Sequence, residues 1–131
     1  MSYRINKVLF EGNLTSDPKY NKTTSNALVV NFRLANYRKY MTSKKEVKEE
    51  TCFMNVVAWL KIAGICQKQD LRKGDLVWVE GRLQSKPWTT SSGNKRNSIE
   101  IMAESIRVTK KKDKKINNEE IEEDIKEKEN E

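Results

Sequence analysis

Apolar residues in this chain alternate with polar ones far more often than they recur at helical spacing. Leu28, Val30, Phe32 and Leu34 alternate with Val29, Asn31 and Arg33, the period of a half-buried strand whose even-numbered face points inward. An earlier strand, from about Asn6 to Leu14, is closed by Thr15-Ser16-Asp17-Pro18, where the proline fixes φ and the aspartate bonds nearby backbone. Residues 19–27 between them read as a polar loop. Residues 41–50 are charged and predict a loop or a flexible hairpin arm, after which Thr51–Leu60 forms a third strand. In the KIAGICQKQ run, Ile62, Ile65, Cys66 and Gln69 sit at helical spacing; Gly64 disfavours helix by about 1 kcal/mol relative to Ala, so a short helix held by packing is expected. Lys73-Gly74-Asp75 turns the chain into a strand over Leu76–Leu83. Ser91-Ser92-Gly93-Asn94 signals a hairpin loop, with Ser98–Thr109 as the returning strand.

Five strands with one short helix between the third and fourth is the order of the OB-fold, an all-β, five-stranded, partly open Greek-key barrel. Other small barrels share that pattern of elements. The fold does not choose a function, because OB-folds bind oligosaccharides, RNA and proteins as well as DNA.

Charge divides the 131 residues into a barrel of residues 1–109 and a tail of residues 110–131. The net charge of +7 conceals a basic body with 19 basic and 10 acidic side chains, then a basic KKKDKK segment, then a Glu-rich end. A basic body suits polyanion partners, although a solvated basic surface is common on any soluble protein. The tail lacks aromatics and has only isoleucine among its larger apolar residues, a composition that predicts disorder because it buries too little apolar area to offset ordering entropy.

Absences remove several classes. With no histidine, Ser/His/Asp and Cys/His catalysis and His-ligated zinc have no residues to work with. Cys52 and Cys66 lie outside any CxxC pair and read as small apolar core residues in a reducing compartment. No Walker loop, dinucleotide fingerprint or EF-hand pattern occurs. No apolar run approaches the roughly 20 residues that span a bilayer. These readings predict a cytoplasmic protein with no cofactor, no metal, no membrane contact and no catalytic residue.

The candidate site is aromatic. Phe53 and Trp59 are six residues apart on one strand, so both point to one face with Asn55 and Val57 between them, while Met54, Val56 and Ala58 face the interior. That face fits either a base-stacking platform or an ordinary core. Trp88, beside Pro87 and within a polar hairpin, favours an exposed or ligand-facing role, and Tyr40 either caps a core or stacks.

Taken in order, INKVLFEGNLTSDP at 5–18, Ala35 closing a strand, Thr51 through Trp59, LRKGDLVWVEGRL at 71–83 and Trp88 before SSGNKR at 91–96 resemble the bacterial single-stranded DNA-binding protein family over residues 4–108. That resemblance implies sequence-tolerant binding and protection of single-stranded DNA in replication, recombination and repair, nucleoid association and a homotetramer. It implies stacking by Tyr40, Phe53, Trp59 and Trp88 and phosphate contacts by Arg4, Lys7, Lys61, Lys73, Lys86 and Arg96. Met54 stands where the family usually has His. The family's acidic tip closes with Pro and Phe, which replication and repair partners read; this chain ends in KEKENE, which keeps the acidity without the hydrophobic plug. An accessory OB-fold protein of replication restart and an RNA-binding OB module are the alternatives.

Overall fold

The alternation that begins at Leu28 runs on twice as far as its core-facing half requires. The computed structural model describes residues 3–112, and in it the elements are β1 (Val8–Leu14), β2 (Lys19–Lys22), β3 (Leu28–Met41), β4 (Val47–Trp59), α1 (Leu60–Lys68), β5 (Leu76–Thr89) and β6 (Lys95–Lys110). The strands form one sheet in the order β1-β5-β6-β4-β3-β2, and a further β1–β3 pairing through Asn13–Ala35 and Leu14–Leu34 closes β1, β3, β4, β6 and β5 into a five-stranded barrel. Neighbouring strands are antiparallel except β4 and β6, which run parallel over Asn55–Glu100 to Val57–Met102. This is the expected OB-fold.

The core is filled by the predicted inward faces of β3 (Val30, Phe32 and Leu34) and β4 (Val56 and Ala58), joined by Val77 and Val79 from β5 and Ile101 and Ala103 from β6. Ala63 and Cys66 of α1 close one end. Two glycines make closure possible. A Cβ on Gly12 would lie 2.7 Å from the Ala35 carbonyl oxygen, and one on Gly81 would lie 2.1 Å from that of Met102, so β1 and β5 cross their neighbours at distances that only a residue without a side chain allows.

Several elements differ from the sequence reading. The polar segment 19–27 contains β2, held to β3 by register Tyr20–Val30 and packed on the core through the half-buried Tyr20. The charged stretch 41–50 is an ordered ribbon: β3 and β4 stay paired out to Met41–Val47, with Arg38–Glu50 and Lys39–Glu49 ion pairs across it. The β5–β6 hairpin likewise extends to Thr89–Lys95.

Ordered contacts also continue beyond the expected boundary at 109. Asp75, fully buried, accepts bonds from the Arg72 N–H (2.9 Å), the Lys112 N–H (2.7 Å) and Lys111 Nζ (2.6 Å), while Lys111 Nζ also reaches the Asp70 carbonyl. The expected disorder of the tail concerns residues that, from 113 onward, lie outside the described ones.

Both cysteines are free: Cys66 lies in the core on the inner face of α1 as expected, whereas Cys52 is exposed on the paired ribbon of β4 and is not a core residue. Burial pushes the Cys66 thiol up to about 12, so it stays protonated at any ordinary pH. Iodoacetamide at pH 8 is therefore expected to label Cys52 alone in the native protein and both sites after urea, read by intact mass; rapid native labelling of Cys66 would overturn this packing.

Candidate nucleic-acid interface

The site is built where two hairpins part. The parallel pairing of β4 and β6 stops at Asn55–Glu100, yet the β3–β4 and β5–β6 ladders each continue well beyond it, so two arms diverge from that row. Side chains alternate along each arm, and the register identifies which ones share the outer face of the sheet. The row at the fork is Gln84, Glu100, Asn55 and Arg33, with Gln84 Nε2 donating to Glu100 Oε1 at 2.7 Å.

On the β5–β6 arm, Lys86 lies opposite Ser98 and Trp88 opposite Arg96, all continuing the face of Gln84. Trp88 is 51% exposed. The structure thus brings together three predicted residues, Lys86, Trp88 and Arg96, that the sequence placed on separate sides of a loop. Ile101 and Ala103, on the other face of the same strand, are in the core, which fixes the sense of the alternation.

On β4, Phe53 and Trp59 share that outer face, as their even spacing requires. Both are partly exposed, at 49% and 39%. They do not bound one open platform, because Val57 between them is buried, flanked by Asn31 of β3 and Met102 of β6 on the most enclosed row of the sheet. Trp59 stands at the end of β4 as the extended N-cap residue of α1. Leu60 then turns the chain with φ of 50°, a left-handed value that costs an L-residue strain and marks a sharp corner beside the indole.

Phe53 has a partner that the sequence reading did not include. The Arg33 guanidinium lies over the ring, 4.5 Å from its centroid, from the diagonal position on β3, where Arg33 itself pairs with Asn55. Arg82 also joins the outer face, loosely paired with Glu104 at 3.9 Å. Both arginines fall at alternate positions to core residues, and strand period alone was the signal that could have found them.

The remaining candidates scatter. Lys61 is exposed in the first turn of α1, two residues from Trp59. Arg4 is exposed ahead of β1, and Lys7 is ion-paired with Glu80, whose hydrogen bond and charge raise the lysine pKa. Lys73 sits in the turn before β5, its N–H bonded to Asp17 Oδ1 at 2.8 Å, at the opposite end of β5 from Trp88. Tyr40 is exposed beneath the Arg38 guanidinium, 6.0 Å from its centroid, but five positions from Ala35, the residue opposite Phe53; alternation therefore puts Tyr40 on the other face of the ribbon. A groove of about 280 Å³ opens where β1 and β3 separate, among Glu11, Gly12, Asn13, Asn36 and Tyr37. It carries mixed charge, with Glu11, Arg38, Lys39 and Glu49 along its wall. Among the described residues no group of acidic or cysteine side chains is placed to hold a metal, and no helix is long and apolar enough to cross a membrane.

Comparison with known proteins gives a consistent picture. The profile of the Single-strand binding protein family matches residues 5–109. The Single-stranded DNA-binding protein 2 of Chlorobaculum tepidum is 40% identical over 111 residues, covering 84% of this chain and 74% of the relative. The Single-stranded DNA-binding protein of Caldanaerobacter subterraneus is 39% identical over 103 residues, covering 79% of this chain and 67% of the relative. Among solved structures, a Plasmodium falciparum SSB complex with ssDNA superposes with a TM-score of 0.74 at 23% identity, covering 86% of this chain and 99% of that one. A single-stranded DNA binding protein from Thermus aquaticus superposes with 0.71 at 24% identity, covering 81% of this chain and 51% of that one. At those identities the two structures speak to the fold alone.

Proposed function

The chain belongs to the single-strand binding protein family, and from that premise we infer how its surface performs the family's work. The protein binds single-stranded DNA without catalysis, in replication, recombination and repair. Bases stack on Trp88, Phe53 and Trp59, while Lys86, Arg96, Arg82 and Arg33 neutralise phosphates along the same face. The observation that carries this reading is the Lys86–Trp88–Arg96 cluster: an exposed indole and two cations on one face of a projecting hairpin, opposite a second arm with Phe53 and Arg33 at its root. Every base has a π-face, so such a surface tolerates sequence. It rejects duplex because paired bases already stack inside the helix.

Lys61 supports the strand beside Trp59, whereas Arg4, Lys7 and Lys73 fall outside the fork and act at most through general steering. Assembly into a homotetramer is the oligomer we propose, supported by exposed Leu83 and Ile99 on the face of the β5–β6 arm opposite Trp88. Cytoplasmic, nucleoid-associated action belongs to the same proposal.

Tryptophan fluorescence tests the central claim. Trp59 and Trp88 are exposed, and Trp78, half-buried with Arg107 5.8 Å from its ring, supplies a steady background. Oligo-dT is expected to quench emission at stoichiometric ratios, and duplex of equal length to do so only at much higher concentration. Equal responses would overturn the stacking mechanism, and tighter binding of oligo-U than oligo-dT would favour an RNA-binding role.

A further inference from the structure

We propose that Leu60 contacts the bound strand: its exposed side chain forms an apolar wedge that packs against the nucleotide stacked on Trp59. The inference rests on the strand-binding reading above and deepens it. Alternation along β4 puts Val56 and Ala58 in the core, so a strand continuing past Trp59 would turn residue 60 inward after them. The chain corners instead. With φ of 50°, Leu60 leaves the strand in the left-handed region, and its side chain stands 61% exposed, outside the core cluster and the apolar residues packed against it.

Core burial does not offset that strain. The non-glycine residues with positive φ among the described ones are Asn26, Lys45, Leu60 and Asp70. Asn26 and Asp70 are of the types that tolerate the left-handed region, and Lys45 sits in the β3–β4 turn with its N–H bonded to the Thr42 carbonyl. Those three are polar. Leu60 alone joins the strained backbone to a large apolar side chain held in solvent, and strain of this kind collects where a ligand is met. The neighbours indicate which ligand. Leu60 lies between the partly exposed Trp59 indole and the exposed Lys61, so ring, apolar wedge and cation follow one another at the corner. One nucleotide carries the matching set: a base face for the ring, sugar and base-edge carbons for the wedge, and a phosphate for the cation.

Three variants and one contact measurement test this. Leu60→Ala and Leu60→Gly are each expected to weaken oligo-dT binding about 3- to 15-fold through the apolar area no longer covered, and Leu60→Met to bind within about twofold of the parent. Leu60→Gly is also expected to raise the melting temperature by a few degrees, because glycine takes positive φ without strain. Stability and affinity then move in opposite directions. On the unchanged protein, the Leu60 methyl signals, assigned by their absence from the Leu60→Ala spectrum, are expected to show cross-relaxation with sugar and base protons of bound oligo-dT. Unchanged affinity in Leu60→Ala, a loss in Leu60→Gly that Leu60→Ala does not share, or missing cross-peaks would overturn the proposal. A melting temperature that falls with Leu60→Gly would overturn it too, by showing that the side chain packs within the protein. Trp59→Ala and Trp88→Ala separate the two claims. If either weakens binding while the Leu60 variants do not, the strand-binding reading stands without the wedge; if none of them does, the reading itself falls.

Discussion

Replacing Asp75 by Ala is expected to destabilise the barrel by about 3 kcal/mol and to lower its melting temperature by roughly 10–20 °C, the largest stability loss from any side chain outside the apolar core. The reason is that one fully buried carboxylate serves three donors from two distant segments. The Arg72 N–H comes from the turn that precedes β5, and the Lys112 N–H and Lys111 ammonium come from just past the end of β6. Alanine leaves both part-buried backbone N–H groups without their acceptor, each at about 1–3 kcal/mol. Lys111 is 39% exposed and turns to water at little loss. Removing residues 110–131 should cost a similar amount, and removing them from the Asp75→Ala chain little more, because both changes break the same latch. Urea denaturation of the four proteins checks this. Additive losses, or a shift under about 1 kcal/mol for Asp75→Ala, would show that the carboxylate does not tie the two segments together. Oligo-dT affinity of the folded variant should be unchanged, since Trp88 lies about 40 Å away along β5.

That latch illustrates what the chain's sequence conceals. Lys-Gly-Asp before an apolar strand reads as a solvent-facing turn, and nothing local says that the aspartate points inward to meet residues 36 and 37 positions later. The barrel was legible because its signals are local: alternation over Leu28–Leu34, helical spacing through Cys66, and turn residues between strands. β2 was not, because KYNK has a single apolar side chain and becomes a strand only through pairing with Val29 and Val30. The site divides in the same way. Even spacing was enough to place Phe53 and Trp59 on one face. Finding Tyr40 on the other face of the ribbon from Phe53 requires the cross-strand register, which is set by the turn at residues 42–46 and by barrel closure, and Val57 is covered only because strands flank it on both sides. Arg33 and Arg82 look like ordinary alternation in the sequence, and only the register puts them on the outer face, opposite Asn55 and Met102.

Affinity for oligo-dT is expected to fall steeply with salt and to lose its aromatic and ionic components separately. Each phosphate neutralised on a single strand contributes about 0.7 to the slope of log affinity against log salt. If Arg33, Arg82, Lys86 and Arg96 each neutralise one phosphate per engaged chain, the slope is about −2.8, and a tenfold rise in salt weakens binding roughly 600-fold. Lys86→Ala or Arg96→Ala should flatten the slope by about 0.7. Arg33→Ala should do so too, since its guanidinium must leave the Phe53 face when a base arrives and has a phosphate to move to; the exposed cation–π contact it gives up is worth only about 0.5–1 kcal/mol. Trp88→Ala should instead lower affinity by about 1–3 kcal/mol at every salt concentration without altering the slope, because stacking releases no counterions. Lys73→Ala, at the far end of β5, should leave both quantities where they were. Titrations of each variant at several salt concentrations decide the matter. A flat salt dependence would remove the cationic face from the mechanism, and a Trp88→Ala variant that changes slope but not intercept would mean that the β5–β6 arm orders the strand by charge rather than by stacking.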